Sequence, residues 1–302
     1  MAENIQLKSS QILSLSPQHF NSYELLDSGN GLKLERFGDY ITIRPEPQAV
    51  WNASQTIKEW EQQAHVQFIP TGSNAGTWKK FRSVPENWKL TYNHNFPFTL
   101  KLALTGFKHV GVFPEQAVNW DFITESVSLL KAKTPQPKFL NLFAYTGAAT
   151  LAAKAAGADA THVDSIKQVV SWANENMQLS GLKDIRWVVE DAMKFAKREV
   201  KRGNFYNGII LDPPAFGHGP SGEKWKLEDN ILELMETVQQ LLHPQHHFLI
   251  LNAYSLGFSS LILENLIQEK FKKNYFAIGE LFIPDSFGKK LPLGAFARLR
   301  SE

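Results

Sequence analysis

The second half of the chain, from residue 137 onward, alternates short apolar stretches with stretches of helical periodicity. The apolar stretches that predict strands occupy residues 139–143, 160–163, 185–189, 208–211 and 248–251. Strands of this kind, each followed by a helix, pair in parallel between two helical layers, so the pattern predicts a doubly wound α/β fold. Two further strands are predicted at 275–283 and 295–299. We therefore predict a mostly parallel seven-stranded sheet with a C-terminal antiparallel hairpin.

The first 130 residues have a different pattern. Apolar and polar residues alternate at 32–36 and again at 40–44, and the turn-forming pair Gly38 and Asp39 stands between these stretches. A period of two residues is typical of half-buried strands joined by hairpins. A proline-containing connector follows at 131–138. The sequence therefore predicts two domains, a smaller β-rich N-terminal domain at 1–130 and a second domain at 131–302.

The composition excludes several classes of protein. The chain has no cysteine, which rules out disulfides, thiolate metal sites and cysteine nucleophiles. No apolar stretch reaches the roughly 18 residues that a membrane helix needs. Residues 1–10 lack the basic start and apolar core of a signal peptide. The nine histidines show no metal-site spacing. We predict a cytoplasmic protein with no membrane contact and no metal, and leave its oligomeric state open.

Small and acidic residues follow four of the predicted strands. Gly147 comes after the first strand, Asp164 ends the second, Glu190 and Asp191 end the third, and Asp212 begins an Asp-Pro-Pro sequence after the fourth. The carboxyl ends of the strands form the ligand site of a doubly wound sheet, so we expect these residues to meet. A glycine turn or a helix-capping aspartate explains each feature taken alone. Their repetition at successive strand ends instead indicates a nucleoside site, in which an acid accepts hydrogen bonds from ribose hydroxyls.

Two nucleoside cofactors compete for this arrangement. A dinucleotide site uses three glycines in the pattern G-x-G-x-x-G to hold a pyrophosphate. Only Gly147 is present here, and Tyr145 stands where another glycine would be expected. S-adenosyl-L-methionine contains no phosphate and tolerates a bulkier loop. The pattern therefore favours S-adenosyl-L-methionine as the cofactor.

These motifs resemble those of the class I S-adenosylmethionine-dependent methyltransferases and, more narrowly, of the bacterial family that methylates bases of 23S ribosomal RNA. The segments that carry the resemblance are 139–148 (FLNLFAYTGA), 163–165 (VDS), 174–176 (NEN), 190–191 (ED), 211–216 (LDPPAF) and, upstream, 111–120 (GVFPEQAVNW). The resemblance implies a Rossmann-like fold, methyltransferase activity and structured ribosomal RNA as the partner.

The resemblance also implies roles for individual residues. The cofactor would contact Phe143, Tyr145, Thr146 and Gly147 on its methionine side, Asp164 and Ser165 at the ribose, Asp191 and Ala192 at the adenine, Asp212 near the methyl group, and Phe113 and Gln116 from the N-terminal side. The catalytic residues would be Asp212, Pro213 and Phe216.

The absence of cysteine also limits the chemistry of methylation. Methylation at carbon 5 of a pyrimidine needs a thiolate adduct, so that route is closed. An exocyclic amine needs no adduct, because hydrogen bonds to the Asp212 carboxylate and the Pro213 carbonyl would direct its lone pair. Phe216 could stack on a flipped base, but Ala215 separates it from the second proline, so packing against the sheet is the alternative. We predict methylation of a base nitrogen in ribosomal RNA. Methylation of a protein or small molecule, and a cofactor-binding RNA-interaction module with little catalysis, stay open.

Two surface segments allow two interpretations each. Residues 194–202 contain five lysine and arginine side chains, which are typical of a solvated helix face or, alternatively, of a phosphate-facing patch. Residues 218–225 form either an ordinary glycine-rich loop or a lid in which Lys224 and Trp225 touch the substrate.

Overall fold

The structure is a computed structural model, which describes residues 11–72, 75–219, 222–254, 257–271 and 275–301. Residues 1–10, on which the prediction of no signal peptide rests, lie outside the described residues. The strands are β1 (Ile12–Leu15), β2 (Tyr23–Gly29), β3 (Leu32–Phe37), β4 (Tyr40–Pro45), β5 (Val66–Pro70), β6 (Gly76–Lys80), β7 (Asn87–Tyr92), β8 (Phe98–Ala103), β9 (Lys138–Leu142), β10 (Asp159–Asp164), β11 (Arg186–Val189), β12 (Gly208–Leu211), β13 (Phe216–His218), β14 (Lys224–Lys226), β15 (Phe248–Ala253), β16 (Tyr275–Pro284) and β17 (Lys290–Arg300). The α-helices are α1 (Ile57–Gln63), α2 (Ala117–Lys131), α3 (Ala148–Ala155), α4 (Lys167–Leu179), α5 (Ala192–Lys201), α6 (Leu227–Leu241) and α7 (Ser260–Lys270).

The largest sheet has the order β1-β16-β17-β15-β12-β9-β10-β11. Every neighbouring pair in it is parallel except those of β17, which runs antiparallel to both β15 and β16. The predicted doubly wound, mostly parallel sheet with a C-terminal antiparallel hairpin is thus confirmed. It has eight strands because β1 joins the seven predicted ones and pairs with β16. This pairing satisfies backbone groups that an edge strand would leave open.

The amphipathic pattern of α6 illustrates why these residues form helices on the sheet. Its apolar positions recur every three or four residues, and Ile231, Leu234, Met235 and Val238 are all buried. They join a hydrophobic cluster with the apolar strands β12 and β15. Burial of one continuous apolar stripe is what stabilises such a helix in a globular protein.

The N-terminal region is β-rich, as predicted. Its strands form a five-stranded sheet, β2-β3-β4-β5-β6, and a separate hairpin of β7 and β8. The hairpin is tied to α4, because Asn176 Oδ1 accepts a hydrogen bond from the backbone N–H of Lys101 at 2.7 Å. One hydrophobic cluster contains buried side chains from both regions, including Trp120 and Phe98 from one side and Leu151 and Phe139 from the other. The domain boundary at residue 130 stays a prediction.

Candidate active site

A cavity of about 480 Å³ lies at the carboxyl ends of the central strands. Its floor comes from the segments that follow β9, β10, β11 and β12, and its opposite wall comes from the N-terminal region. Of the predicted site residues, those that line it are Phe113, Gln116, Phe143, Tyr145, Asp164, Ser165, Asp191, Ala192, Asp212, Pro213 and Phe216. Thr146 and Gly147 are not among the lining residues. The structure therefore brings together side chains that the chain order separates by up to about a hundred residues.

The loop after β9 has an unusual backbone. Phe143, Tyr145 and Gly147 have φ angles of 59°, 49° and 88°, in the left-handed region that side-chain-bearing residues seldom occupy. A Cβ atom at Gly147 would lie 3.0 Å from the Cβ of Ala173. Thr146 is buried and donates its hydroxyl to the carbonyl of Gly111 at 2.7 Å. Thr146 and Gly147 thus hold the loop in place through contacts with the protein interior, while Phe143 and Tyr145 line the cavity. Strained backbone of this kind is typical of functional sites.

Asp164 ends β10 and fixes this loop through its carboxylate. One oxygen accepts the backbone N–H of Tyr145 at 2.9 Å, and the other accepts that of Ile166 at 3.0 Å. Burial raises the pKa of the carboxyl above its ordinary value, although these backbone hydrogen bonds act in the opposite direction. A carboxylate oxygen has two lone pairs, so both oxygens can also accept hydrogen bonds from a ligand in the cavity.

Asp191 lies at the carboxyl end of β11 and caps α5. Its carboxylate accepts the backbone N–H of Lys194 at 2.9 Å, the helix-capping role that explains such an aspartate on structural grounds alone. The neighbouring Glu190 forms an ion pair with Arg198. Asp191 and Ala192 still border the cavity, so capping and ligand contact do not exclude one another.

The basic residues at 194–202 lie on or next to α5. Lys194, Lys197, Arg198 and Arg202 are paired with Glu223, Glu233, Glu190 and Glu199, respectively. These pairs neutralise most of the positive charge of the segment. The observation favours a solvated, ion-paired helix face over a phosphate-facing patch.

The Asp-Pro-Pro sequence follows β12 at the centre of the sheet. Burial raises the pKa of the Asp212 carboxyl to about 7. The carbonyl of Pro214 accepts the indole N–H of Trp225 at 2.7 Å, and the Trp225 ring lies 4.9 Å from that of Phe143. Trp225 is therefore a support for the motif. Phe216 is 69% exposed and borders the cavity, so it does not pack against the sheet.

The segment after the motif forms a small hairpin of β13 and β14, with Phe216 opposite Lys226. Lys224 is exposed, whereas Trp225 is buried. Pro220 and Ser221 of the predicted lid lie outside the described residues. Whether this segment acts as a lid stays a prediction.

Phe113 and Gln116 approach the cavity from the N-terminal side. The Phe113 ring lies 5.1 Å from the Tyr145 ring. The side-chain oxygen Oε1 of Gln116 accepts hydrogen bonds from the side-chain amides of Asn119 at 2.9 Å and Asn252 at 3.1 Å. Gln116 thus joins α2 to the end of β15.

Sequence reasoning missed the charged wall, by which we mean the cavity-lining residues Lys33, Arg44, Glu46, Lys108 and Glu115. Arg44 donates two hydrogen bonds of 2.8 Å to the buried Glu35, and Lys33 pairs with Glu46 at 3.3 Å. Two signals were present in the sequence: Lys33 and Arg44 are charged residues within the predicted strands at 32–36 and 40–44, and Glu115 lies in the segment 111–120. Strand periodicity could not show that this face would turn toward the strand ends of another sheet.

The cavity fits the nucleoside cofactor that the sequence predicts. Asp164 presents partly buried oxygens of the kind that can accept hydroxyl hydrogen bonds, and Phe143, Tyr145 and Ala192 give the cavity apolar surface. The carboxyl groups that line the cavity, Asp164 and Asp212 among them, suit a cationic ligand. The sequence offers no three-glycine pyrophosphate site.

Three potential metal ligands, His19, His94 and Asp121, lie together away from the cavity, with their ligand atoms within 4.8 Å of one another. The two imidazole rings stack at 3.7 Å with an interplanar angle of 11°. Asp121 already accepts the Tyr92 hydroxyl at 2.5 Å. In parallel stacked rings the nitrogen lone pairs do not converge, so the arrangement is poorly suited to coordination.

Comparisons with known proteins agree with this geometry. The family described as "Conserved hypothetical protein 95" matches residues 123–246. The chain is 38% identical to a solved structure named as the SAM-dependent methyltransferase from Agrobacterium tumefaciens, with a TM-score of 0.88; the match covers 96% of this chain and 94% of that one.

Two curated relatives are ribosomal RNA large subunit methyltransferases K/L. The chain is 23% identical to the one from Shewanella frigidimarina over 78% of this chain and 34% of the relative. It is 36% identical to the one from Vibrio cholerae over 35% of this chain and 15% of the relative. The matches thus span at most about a third of the length of these two relatives. No helix in the described part of the chain is both long and apolar enough to cross a membrane.

Proposed function

This chain belongs to the class I S-adenosylmethionine-dependent methyltransferases, and we propose that it methylates a base nitrogen of ribosomal RNA without a covalent cysteine adduct. The observation that carries the proposal is that Asp212 and Pro213 border the same cavity as Asp164 and Asp191. The names of the K/L relatives support ribosomal RNA as the substrate. The lack of cysteine supports a nitrogen target. An enzyme that acts on ribosomal RNA works in the cytoplasm, which we propose as its location.

The residues at the strand ends would hold the cofactor. Asp164 and Ser165 would bind the ribose, Asp191 and Ala192 would border the adenine, and Tyr145 would cover the methionine side. When bound, S-adenosylmethionine supplies an electrophilic methyl group on a positively charged sulfur. The protein contributes mainly by holding the acceptor close and by excluding water, which together can account for much of the rate enhancement.

Asp212 and Pro213 would position the acceptor amine. The ionised Asp212 carboxylate and the Pro213 carbonyl accept its N–H bonds and so direct the nitrogen lone pair away from the base ring. Protonated Asp212 offers less acceptor capacity. Because its pKa is about 7, the carboxylate gains this capacity as the pH rises through neutrality. Phe216, which is 69% exposed, offers a flat surface on which a flipped base can stack.

The test is transfer of labelled methyl groups from S-adenosylmethionine to the total RNA, protein and metabolite fractions of a strain that lacks the gene. We expect label in RNA, loss of that label after ribonuclease treatment before the assay, and no label with Asp212→Asn. The control is Asp159→Asn, which changes an exposed aspartate. Label that appears in protein or metabolites instead of RNA would contradict the proposed substrate. Cofactor binding without transfer to any fraction would favour a binding module.

A further inference from the structure

Glu115 is a carboxyl group at the cavity to which the sequence analysis assigned no role. It lies in a 3₁₀ turn, Pro114–Gln116, and is only 6% exposed. Its carboxyl accepts a hydrogen bond from its own backbone N–H, and within the described part of the chain it has no ion pair and no hydrogen bond from another residue. Burying a carboxyl group that has no cationic partner is unfavourable. A structural role would be served better by an apolar or amide side chain, so the placement indicates a chemical role.

Hydrogen bonds and strand register place the turn that carries Glu115 at the end of β15, the strand next to β12. The adjacent Gln116 accepts the amide N–H of Asn252 at 3.1 Å, which fixes the turn to the end of β15. In the sheet, Leu251 pairs with Leu211, so Asn252 and Asp212 are neighbours at the carboxyl ends of adjacent strands. Glu115 and Asp212 both border the cavity and repel one another electrostatically. Two carboxyl groups from different elements therefore line one cavity.

Methylation of an amine leaves a proton to be removed. The nitrogen lone pair forms the new N–C bond, and the electron pair of the broken C–S bond stays on sulfur. The methylated nitrogen is then positively charged until its N–H bond breaks. Asp212 is assigned to holding the amine, so a separate carboxylate at the same cavity is suited to take this proton.

We propose that Glu115 accepts this proton: its carboxylate takes the proton from nitrogen, the N–H electron pair stays on nitrogen, and water later removes the proton from Glu115. The inference rests on the proposed amine methylation. Burial is the main cause that raises the pKa of Glu115 to about 7, with Asp212 and Glu35 adding to the rise and Lys33 opposing it. A base with a pKa near the working pH is well suited to proton transfer. The other charged groups on that side of the cavity are Arg44, Glu46 and Lys108.

A binding measurement tests the position and ionisation of Glu115 independently of any acceptor. S-adenosylmethionine carries a sulfonium charge that S-adenosylhomocysteine lacks, so ionised carboxylates in the cavity favour the former. By calorimetry between pH 5.5 and 8.5, we expect the ratio of the two affinities in the wild-type protein to rise by about tenfold. Glu115→Gln should reduce this rise by at least half, and the exposed-residue control Glu86→Gln should not.

Kinetics with the acceptor fraction that the wild-type protein labels complete the test. We expect Glu115→Gln to lower kcat by about 100-fold with KM little changed, and Glu115→Asp to restore part of the rate. An unchanged pH dependence of the affinity ratio in Glu115→Gln, or a kcat within twofold of the wild type, would overturn the proposal. If the wild-type protein shows the expected pH dependence of the affinity ratio but labels no RNA, the proposed substrate is wrong. The binding measurement then still tests the position and ionisation of Glu115.

Discussion

Replacement of Asp212 by asparagine should make the protein inactive yet more stable at high pH. Asp212 has a pKa of about 7 in the folded protein, against 3.8 for an ordinary aspartate. The folded state therefore holds a proton that the unfolded chain has already released between about pH 4 and pH 7. By linkage, the free energy of unfolding of the wild-type protein falls as the pH rises through this window. Asp212→Asn has no such proton and escapes this loss.

The pKa difference sets an upper limit on the effect. About three pKa units at about 1.4 kcal/mol each give about 4 kcal/mol. The side chain borders a cavity that admits water, and removal of its charge also eases ionisation of Glu115, so we expect about 2 kcal/mol between pH 5 and pH 8. The difference in unfolding free energy between variant and wild type is measured at each pH, and the two differences are then compared. The effect of the new amide group is the same at both pH values, so it cancels in this comparison.

Urea unfolding followed by tryptophan fluorescence at pH 5 and pH 8 measures this difference. Asp159→Asn, an exposed change of the same type, should show the same difference at both pH values. Calorimetry should show that Asp212→Asn still binds S-adenosylhomocysteine. If the Asp212→Asn advantage were equal at pH 5 and pH 8, the raised pKa, and the acid–base reasoning built on it, would be refuted.

Three further changes test the structure of the site. Asp164→Asn should weaken S-adenosylhomocysteine binding by about tenfold or more, because an amide cannot accept as many hydrogen bonds; calorimetry that shows unchanged affinity would contradict the ribose assignment. Gly147→Ala should destabilise the protein more than Gly181→Ala in urea unfolding, since both have positive φ but only Gly147 also meets a neighbouring side chain; the conformational part is about 1 kcal/mol. Glu35→Gln should lower the free energy of unfolding by about 3 kcal/mol, because it leaves the buried Arg44 guanidinium without its anion; equal stability to the wild type would show that other groups compensate.

The fold of the C-terminal region could be predicted from the sequence, and so could most of the residues that line the cavity at its strand ends. The strand ends at Asp164, Asp191 and Asp212 were identifiable because parallel strands place their carboxyl ends at one edge whatever the helices between them contain. The prediction failed to include β1 in the large sheet. This strand has only four residues, Ile12–Leu15. Their sequence has no pattern that distinguishes a strand at a distant sheet edge from a loop.

Local sequence determined one part of the site, and tertiary packing determined the other. The alternation of apolar and helical segments determined the sheet, and the residues after each strand determined the lining of the cavity at its edge, because both depend on neighbours in the chain. Only the folded structure decided that Glu115, Lys33 and Arg44 would line the same cavity as Asp212 and that Phe216 would stay exposed. These outcomes depend on how two regions pack against each other, and packing between residues far apart in the chain leaves no periodic trace in the sequence.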